Sequence, residues 1–189
     1  MNNEETIQAY VELEEKVISF IKDKADKSEL ITTASTAASI IISKFLKTSK
    51  NELKNLNNEK ELILVKKIKD SKKELRAAAR AKNKDARIKQ IHFSSVLETI
   101  NDLSFVQIVF LNEKYDLKLI TGKELFEKKK MSICLHPNLN SDIEDFALVL
   151  NKDKKIKARK LITVALVDFY NNSFDINKEF KTYSTEYKN

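Results

Sequence analysis

The chain has 189 residues and a formal net charge of +7, and 42% of its residues are hydrophobic. This length suits one modest domain or two small ones, and the positive charge favours an anionic partner without specifying which kind. Because the chain has only one glycine and one proline, the glycine-rich phosphate loops of nucleotide-binding enzymes are excluded and a mainly helical fold is favoured.

The cellular compartment is indicated by cysteine usage and by the apolar runs. A single cysteine, Cys134, excludes an intrachain disulfide and is typical of a protein from a reducing cytoplasm. The first residues are acidic and lack the basic-then-apolar order of a signal peptide. No apolar run approaches the roughly 20 residues needed to cross a bilayer. We therefore expect a cytoplasmic protein with no membrane partner.

The first region, residues 1–92, is predicted to be helical. Residues 4–24 place most of their apolar side chains at spacings of three and four, which is typical of an amphipathic helix; these are Ile7, Tyr10, Val11, Leu13, Val17, Ile18 and Ile21. Residues 28–47 form a second predicted helix with a wide apolar stripe and many small residues. We expect these helices to pack as a bundle, to join copies of the chain, or to bind a protein partner.

Residues 51–90 are predicted to form one long basic helix. They hold 13 Lys or Arg and six Asp or Glu, so this stretch alone carries a surplus of seven positive charges. Two interpretations remain open: the helix lies along a nucleic-acid phosphate backbone, or its charges form a solvated face. In the first interpretation the backbone-binding residues are Lys72, Lys73, Arg76, Arg80, Lys82, Lys84 and Arg87.

Residues 93–128 are predicted to connect the helical region to the last part of the chain. The runs 105–111 and 117–121 are rich in β-branched and aromatic residues, which fits a hairpin, although a helix over 94–114 fits the first run equally well. Thr121 and Glu124 have the spacing of a capping box, which predicts a short helix from Gly122 to Lys129.

The segment 129–172 is predicted to contain a strand followed by two helices, with a polar tail over 173–189. Met131, Ile133 and Leu135 alternate with polar residues, and Pro137 ends this strand. The first helix begins near Ser141 with acidic residues at its positive end, and a loop over 151–155 leads to the second helix. A lone strand needs a partner for its backbone groups, so we expect two copies of the chain to pair their strands antiparallel in a dimer.

This ordered combination resembles the ribbon-helix-helix superfamily of the Arc and MetJ repressors, over about 44 residues. The second helix has the family's apolar spacing, with Ile162, Ala165, Leu166 and Phe169 in their places. A plain pair of helices preceded by an unrelated strand would share much of the pattern. The fold class expected from the resemblance is mainly α, with an N-terminal helical or coiled region and a C-terminal ribbon-helix-helix unit.

The resemblance also implies where DNA would be contacted. In the family, outward-facing strand residues read bases in the major groove, and these positions fall here on Lys130, Ser132 and Cys134. In the family, backbone amides at the start of the second helix bind a phosphate of the DNA. The corresponding residues and the lysines near them are Lys128, Lys129, Lys155, Lys157, Ala158, Arg159 and Lys160.

No residue pattern indicates catalysis or a bound cofactor. The two histidines, His92 and His136, and Cys134 do not make up the four ligands of a typical metal site, and no acid is spaced to support a Cys-His nucleophile. The sequence therefore predicts a dimeric, sequence-specific protein that binds double-stranded DNA, of the repressor, plasmid-segregation or relaxosome accessory type. The alternatives are a helical interaction protein and an RNA-binding protein that uses the basic helix.

Overall fold

The computed structural model describes residues 6–82, 91–100, 103–120, 128–150 and 158–187. Within these ranges the chain is mainly helical, as its composition predicts. The elements in chain order are β1 (Ile7–Glu14), α1 (Glu15–Asp26), α2 (Ala34–Lys54), α3 (Asn58–Lys82), β2 (Ile91–His92), α4 (Phe93–Thr99), α5 (Phe105–Lys114), β3 (Leu119–Ile120), β4 (Lys128–Leu135), α6 (Pro137–Leu150), α7 (Ala158–Asn171) and α8 (Ile176–Tyr187). None of the helices in these ranges is long and apolar enough to cross a membrane.

The chain divides into two compact units that do not follow the predicted boundaries at residues 92 and 128. Unit 1 comprises residues 1–50 and 126–189, and unit 2 comprises residues 51–125. Unit 1 is assembled from both ends of the chain because β1 pairs antiparallel with β4, with Ile7 opposite Leu135 and Glu14 opposite Lys128. Unit 2 contains the other strand pair, in which β2 and β3 run parallel.

The pairing of β1 with β4 corrects two predictions. The predicted helix over 4–24 is wrong for residues 7–14, which form a strand, and the helix begins only at Glu15. The expectation that β4 pairs with a second copy of the chain is also wrong, because the partner strand lies in the same chain. Opposite charges face each other across this pair at Glu12 and Lys130, an arrangement that favours this register.

Unit 1 contains the order strand, helix, helix twice. The first repeat is β1, α1 and α2, and the second is β4, α6 and α7. A shift of 122 residues, the separation of Glu15 and Pro137, superimposes buried positions of the first helices; the pairs are Val17 and Leu139, Ile21 and Ile143, and Ala25 and Ala147. A shift of 124 does the same for the second helices; the pairs are Ala37 and Leu161, Ala38 and Ile162, Ile41 and Ala165, and Phe45 and Phe169.

The two repeats pack against each other as well as pairing their strands. Helix α7 of the second repeat contacts both β1 and α1 of the first. The rings of Phe20 and Phe169 contribute to this contact, with their centroids 5.6 Å apart. Burial of apolar side chains between packed elements is the main contribution to the stability of a small folded unit. The ribbon of β1 and β4 is therefore held on helices from both repeats.

Helix α8 replaces the polar tail predicted for residues 173–189. Its Tyr183 and Tyr187 are buried, and the Tyr187 hydroxyl donates a hydrogen bond of 2.7 Å to Asp142 on α6. Two ion pairs join α8 to α2; these are Lys44 with Glu179 at 2.9 Å and Lys47 with Glu186 at 2.6 Å. The sequence of residues 173–189 has a polar composition because α8 packs through tyrosine rings and ion pairs rather than through aliphatic side chains.

Unit 2 corrects the predictions made for its two halves. The predicted single helix over 51–90 is interrupted, because α2 ends at Lys54 and α3 runs from Asn58 to Lys82, while 83–90 lie outside the described residues. The hairpin is wrong, because 105–114 form helix α5, which begins with a capping box between Ser104 and Gln107. The alternative, one helix over 94–114, is divided, because α4 ends at Thr99 and α5 begins only at Phe105. The short helix predicted from Gly122 falls largely on 121–127, outside the described residues, and its last two residues belong to β4.

Candidate nucleic-acid interface

The ribbon formed by β1 and β4 has one apolar and one polar face. Side chains that point into unit 1 are almost fully buried; they are Val11, Leu13, Met131, Ile133 and Leu135. The alternate side chains are exposed; they are Gln8, Tyr10, Glu12, Lys130, Ser132 and Cys134. We call these six residues the outer row. Its second half consists of Lys130, Ser132 and Cys134, the residues that sequence reasoning placed outward, whereas its first half was missed.

The missed half has a signal in the sequence. Ile7, Ala9, Val11 and Leu13 alternate with Gln8, Tyr10 and Glu12, which carry hydrogen-bonding groups, and this is the period-two pattern of a strand with one buried face. The same residues also satisfy helical spacing with Val17 and the residues after it, because the strand runs directly into α1 without a breaker. Only the pairing with β4 separates the two interpretations.

The outer row is rich in hydrogen-bonding groups. Its cross-strand pairs are Gln8 with Cys134, Tyr10 with Ser132, and Glu12 with Lys130. The Gln8 amide Nε2 donates a hydrogen bond of 2.8 Å to the Ser132 Oγ. Amide, hydroxyl, phenol, carboxylate and ammonium groups thus share one exposed surface, which offers both donors and acceptors to a ligand.

The start of α2 is fastened to the backbone of β4. The amide of Cys134 donates a hydrogen bond of 2.8 Å to the Ser35 Oγ, and the Ser39 Oγ donates one of 3.3 Å to the carbonyl of Cys134. Ser39 is buried. These two serines satisfy backbone groups at the outer edge of β4, groups that an edge strand otherwise leaves for water or another strand.

The start of α7 is different, because it borders an open groove of about 590 Å³ beside β1. The groove is lined by Ala9, Tyr10, Lys130, Asn140, Ala158, Arg159 and Ile162. Two of these side chains are cationic, and the first amides of a helix carry a partial positive charge. The groove therefore offers a setting that favours an anion.

The other predicted phosphate-binding residues lie on the elements that border this groove or outside the described ranges. Lys128 and Lys129 begin β4, and Lys129 forms an ion pair with Glu15. Lys160 lies in the first turn of α7. Lys155 and Lys157 lie outside the described residues.

The predicted basic row of the second unit does not form one uniform stripe. Lys72 donates a hydrogen bond to the carbonyl of Leu117, and burial lowers its pKa. The Arg76 Nε is buried and has no hydrogen-bond partner among the described residues. Lys73, Arg80 and Lys82 are exposed, with Lys73 lying 3.5 Å from Asp70, whereas Lys84 and Arg87 lie outside the described residues. The described part of the row is thus divided between partly buried side chains, Lys72 and Arg76, and exposed ones.

Within the described ranges, no group of three or more His, Cys, Asp or Glu side chains is placed to hold a metal ion. Comparison with family models, curated proteins and solved structures gives no match to this chain.

Proposed function

We propose that unit 1 binds double-stranded DNA, with the ribbon of β1 and β4 inserted in the major groove. The observation that carries this proposal is the outer row, six exposed and mostly polar side chains on a two-stranded ribbon whose other face is buried. In this proposal the chain resembles a ribbon-helix-helix protein in which one chain supplies both strands and both helix pairs.

The dimensions of the ribbon suit this role. Paired strands lie about 4.8 Å apart, and the major groove is about 12 Å wide, so a two-stranded ribbon with its side chains fits within it. The chemistry suits it as well. A glutamine such as Gln8 can form two hydrogen bonds with adenine, and a lysine such as Lys130 can donate to guanine. Serine can contact adenine or guanine, and glutamate can accept from cytosine.

Backbone contacts would come from the groove beside α7. Arg159 lines it, and Lys129 and Lys160 lie on the elements that border it. Neutralising phosphates in this way releases counterions, so binding weakens as salt rises. A transcriptional repressor, a plasmid-segregation adaptor and a relaxosome accessory protein all fit such a reader.

The proposal is tested by selecting duplexes from a random library and measuring affinity by fluorescence anisotropy at two salt concentrations. Gln8→Ala removes one base-reading group and is expected to reduce discrimination between selected and random duplexes about tenfold, since one good base contact contributes about 1–3 kcal/mol. Arg159→Ala is expected to weaken binding to both duplexes alike and to reduce the salt slope by about 1.

Lys178→Ala is the matched control, because Lys178 is an exposed lysine on α8. It removes one positive charge but should leave both affinity and the salt slope near the wild-type values. If no duplex binds at low salt, or if duplex RNA competes as well as duplex DNA, the proposal is wrong.

A further inference from the structure

The outer row is not the same at its two ends, although the fold around it is repeated. The shift of 122 residues that relates the two strand-helix segments places Gln8 at the position of Lys130, Tyr10 at that of Ser132, and Glu12 at that of Cys134. None of these three pairs is identical, and two of them differ in charge, since neutral Gln8 stands where the second repeat has Lys130 and acidic Glu12 stands where it has Cys134. The backbone is therefore repeated while the reading groups are not.

Antiparallel pairing turns this difference into a difference between ends. In a ribbon made of two identical strands, the same pair of side chains recurs at both ends by symmetry. Here one end presents Glu12 opposite Lys130, and the other presents Gln8 opposite Cys134. One end is charged and the other is neutral.

The helices that flank the ribbon differ in the same sense. The shift of 124 residues places Ser35 at the position of Arg159. Ser35 accepts a hydrogen bond from the backbone of β4, whereas Arg159 lines the open groove together with Lys130. The cationic groove thus lies at the start of α7. At the equivalent position in α2, the serine is instead hydrogen-bonded to the backbone amide of Cys134.

From these differences we infer that one chain reads a non-palindromic DNA site in a single orientation. This inference rests on the proposed function and deepens it. Gln8 lies four residues along β1 from Glu12, the partner of Lys130, which corresponds to about 13 Å. Base pairs are spaced about 3.4 Å apart, so the two ends address base pairs about four positions apart. Lysine favours guanine at one end, and glutamine favours adenine at the other.

The first test is the selected site itself together with two single variants. We expect a non-palindromic consensus in which Gln8→Ala relaxes base preference in one half and Lys130→Ala relaxes it in the other. Ser132→Ala, at the middle of the row, is the matched variant and should affect the central positions. A palindromic consensus in which either end variant relaxes both halves equally would overturn the inference while leaving DNA binding intact.

The second test uses the single cysteine of the chain, which is exposed and lies at the neutral end of the row. A photocrosslinker attached to Cys134 should mark one flank of the selected site at least fivefold more strongly than the other. The same reagent on a Glu12→Cys, Cys134→Ser double variant should mark the opposite flank, because Glu12 holds the equivalent place at the charged end.

The outcomes separate the two proposals. Equal marking of both flanks by each of these proteins would refute a fixed orientation but not DNA binding. If neither labelled nor unlabelled protein binds any duplex at low salt, the proposed function falls, and this inference falls with it. Base preferences of the unlabelled variants decide the matter if the label itself weakens binding.

Discussion

Replacing Ile133 by alanine is the most direct test of the ribbon, because the fold depends on its side chain and the proposed interface depends on its neighbours. Ile133 lies on β4 and is 0% exposed, whereas Ser132 and Cys134 on either side of it are exposed. A slip of one residue in the pairing would reverse every one of these assignments. Stability of the Ile133→Ala variant therefore reports which face of β4 is buried.

The expected cost follows from the atoms removed. Truncating isoleucine to alanine deletes three carbons, and each buried methylene contributes about 0.8 kcal/mol, which gives about 2.4 kcal/mol from transfer alone. The cavity left behind adds to this, and measured values for such truncations run from about 2 to 5 kcal/mol. We expect a loss of about 3 to 4 kcal/mol for Ile133→Ala. Val11→Ala, on the facing strand and also 0% exposed, removes two carbons and should cost about 2 kcal/mol.

Urea unfolding followed by tyrosine fluorescence measures this loss. The chain has no tryptophan and five tyrosines, and four of them, Tyr10, Tyr170, Tyr183 and Tyr187, lie in unit 1, so the signal reports mainly on that unit. Ser132→Ala is the control and should change the free energy of unfolding by less than about 0.5 kcal/mol. If Ser132→Ala costs as much as Ile133→Ala, or if Ile133→Ala costs less than about 1 kcal/mol, the assigned faces of the ribbon are wrong.

Two further predictions concern polar groups away from the ribbon. Tyr115→Phe removes a hydrogen bond of 2.7 Å to the buried carboxylate of Glu61 and should destabilise unit 2 by about 2 kcal/mol in calorimetry. Tyr10→Phe is the control and should leave stability unchanged. Equal melting curves for these two variants would contradict the prediction. Burial raises the pKa of the Asp168 carboxyl. In a pH window just above about 3.9, the carboxyl of the folded chain is therefore still protonated while that of the unfolded chain has lost its proton. The free energy of unfolding consequently falls as pH rises through that window. Asp168→Asn should flatten that part of the profile of urea midpoint against pH, and an unchanged slope would refute the assignment.

Helix α6 begins at Pro137, so its predicted start near Ser141 is wrong, and the acidic residues after Ser141 do not lie in its first turn. Strand β4 and helix α7, in contrast, were predictable from local signals. Strand β4 shows period-two alternation, and Pro137 lies where the strand gives way to α6. The apolar positions of α7, including Leu166 and Phe169, are buried as their spacing predicts. Each of these features depends on residues close together in sequence, and such features are read most reliably from a single chain.

The first half was not predictable in the same way, because two periodicities overlap in it. Val11 and Leu13 fit a strand, while Val17, Ile18 and Ile21 fit a helix, and no turn residue separates the two sets. The strand is stabilised by a partner about 120 residues away, and local propensity carries no information about such a partner.

The repeat within unit 1 was not predicted from the sequence, because its two copies differ in helix length and share few identical residues. Helix α6 has 14 residues and α1 has 12, so no single shift superimposes both the first and the second helices of the two repeats. What the repeats share is a pattern of buried positions, with few identical residues among them. Ile21 and Ile143, and Phe45 and Phe169, are among the identical pairs.

The capping box that opens α5 is a missed signal of another kind. Ser104 and Gln107 have the spacing of a helix start, and each accepts a hydrogen bond from the backbone of the other. The apolar run that follows them is rich in β-branched and aromatic residues, which favours a strand on propensity alone. The cap decides between the two because it satisfies backbone donors that the first turn of a helix leaves unpaired.

The intrachain partner changes what the ribbon implies about assembly. The prediction of a dimer rested on the need of β4 for a second strand, and β1 meets that need. Part of the remaining edge of β4 is also occupied, since Ser35 and Ser39 bond the backbone of Cys134. A homodimer of this chain would therefore not be required to form the outer row. In a symmetric dimer, one substitution changes both ends of a ribbon at once. In this chain each end of the outer row is encoded separately, so a single substitution alters one end and leaves the other unchanged.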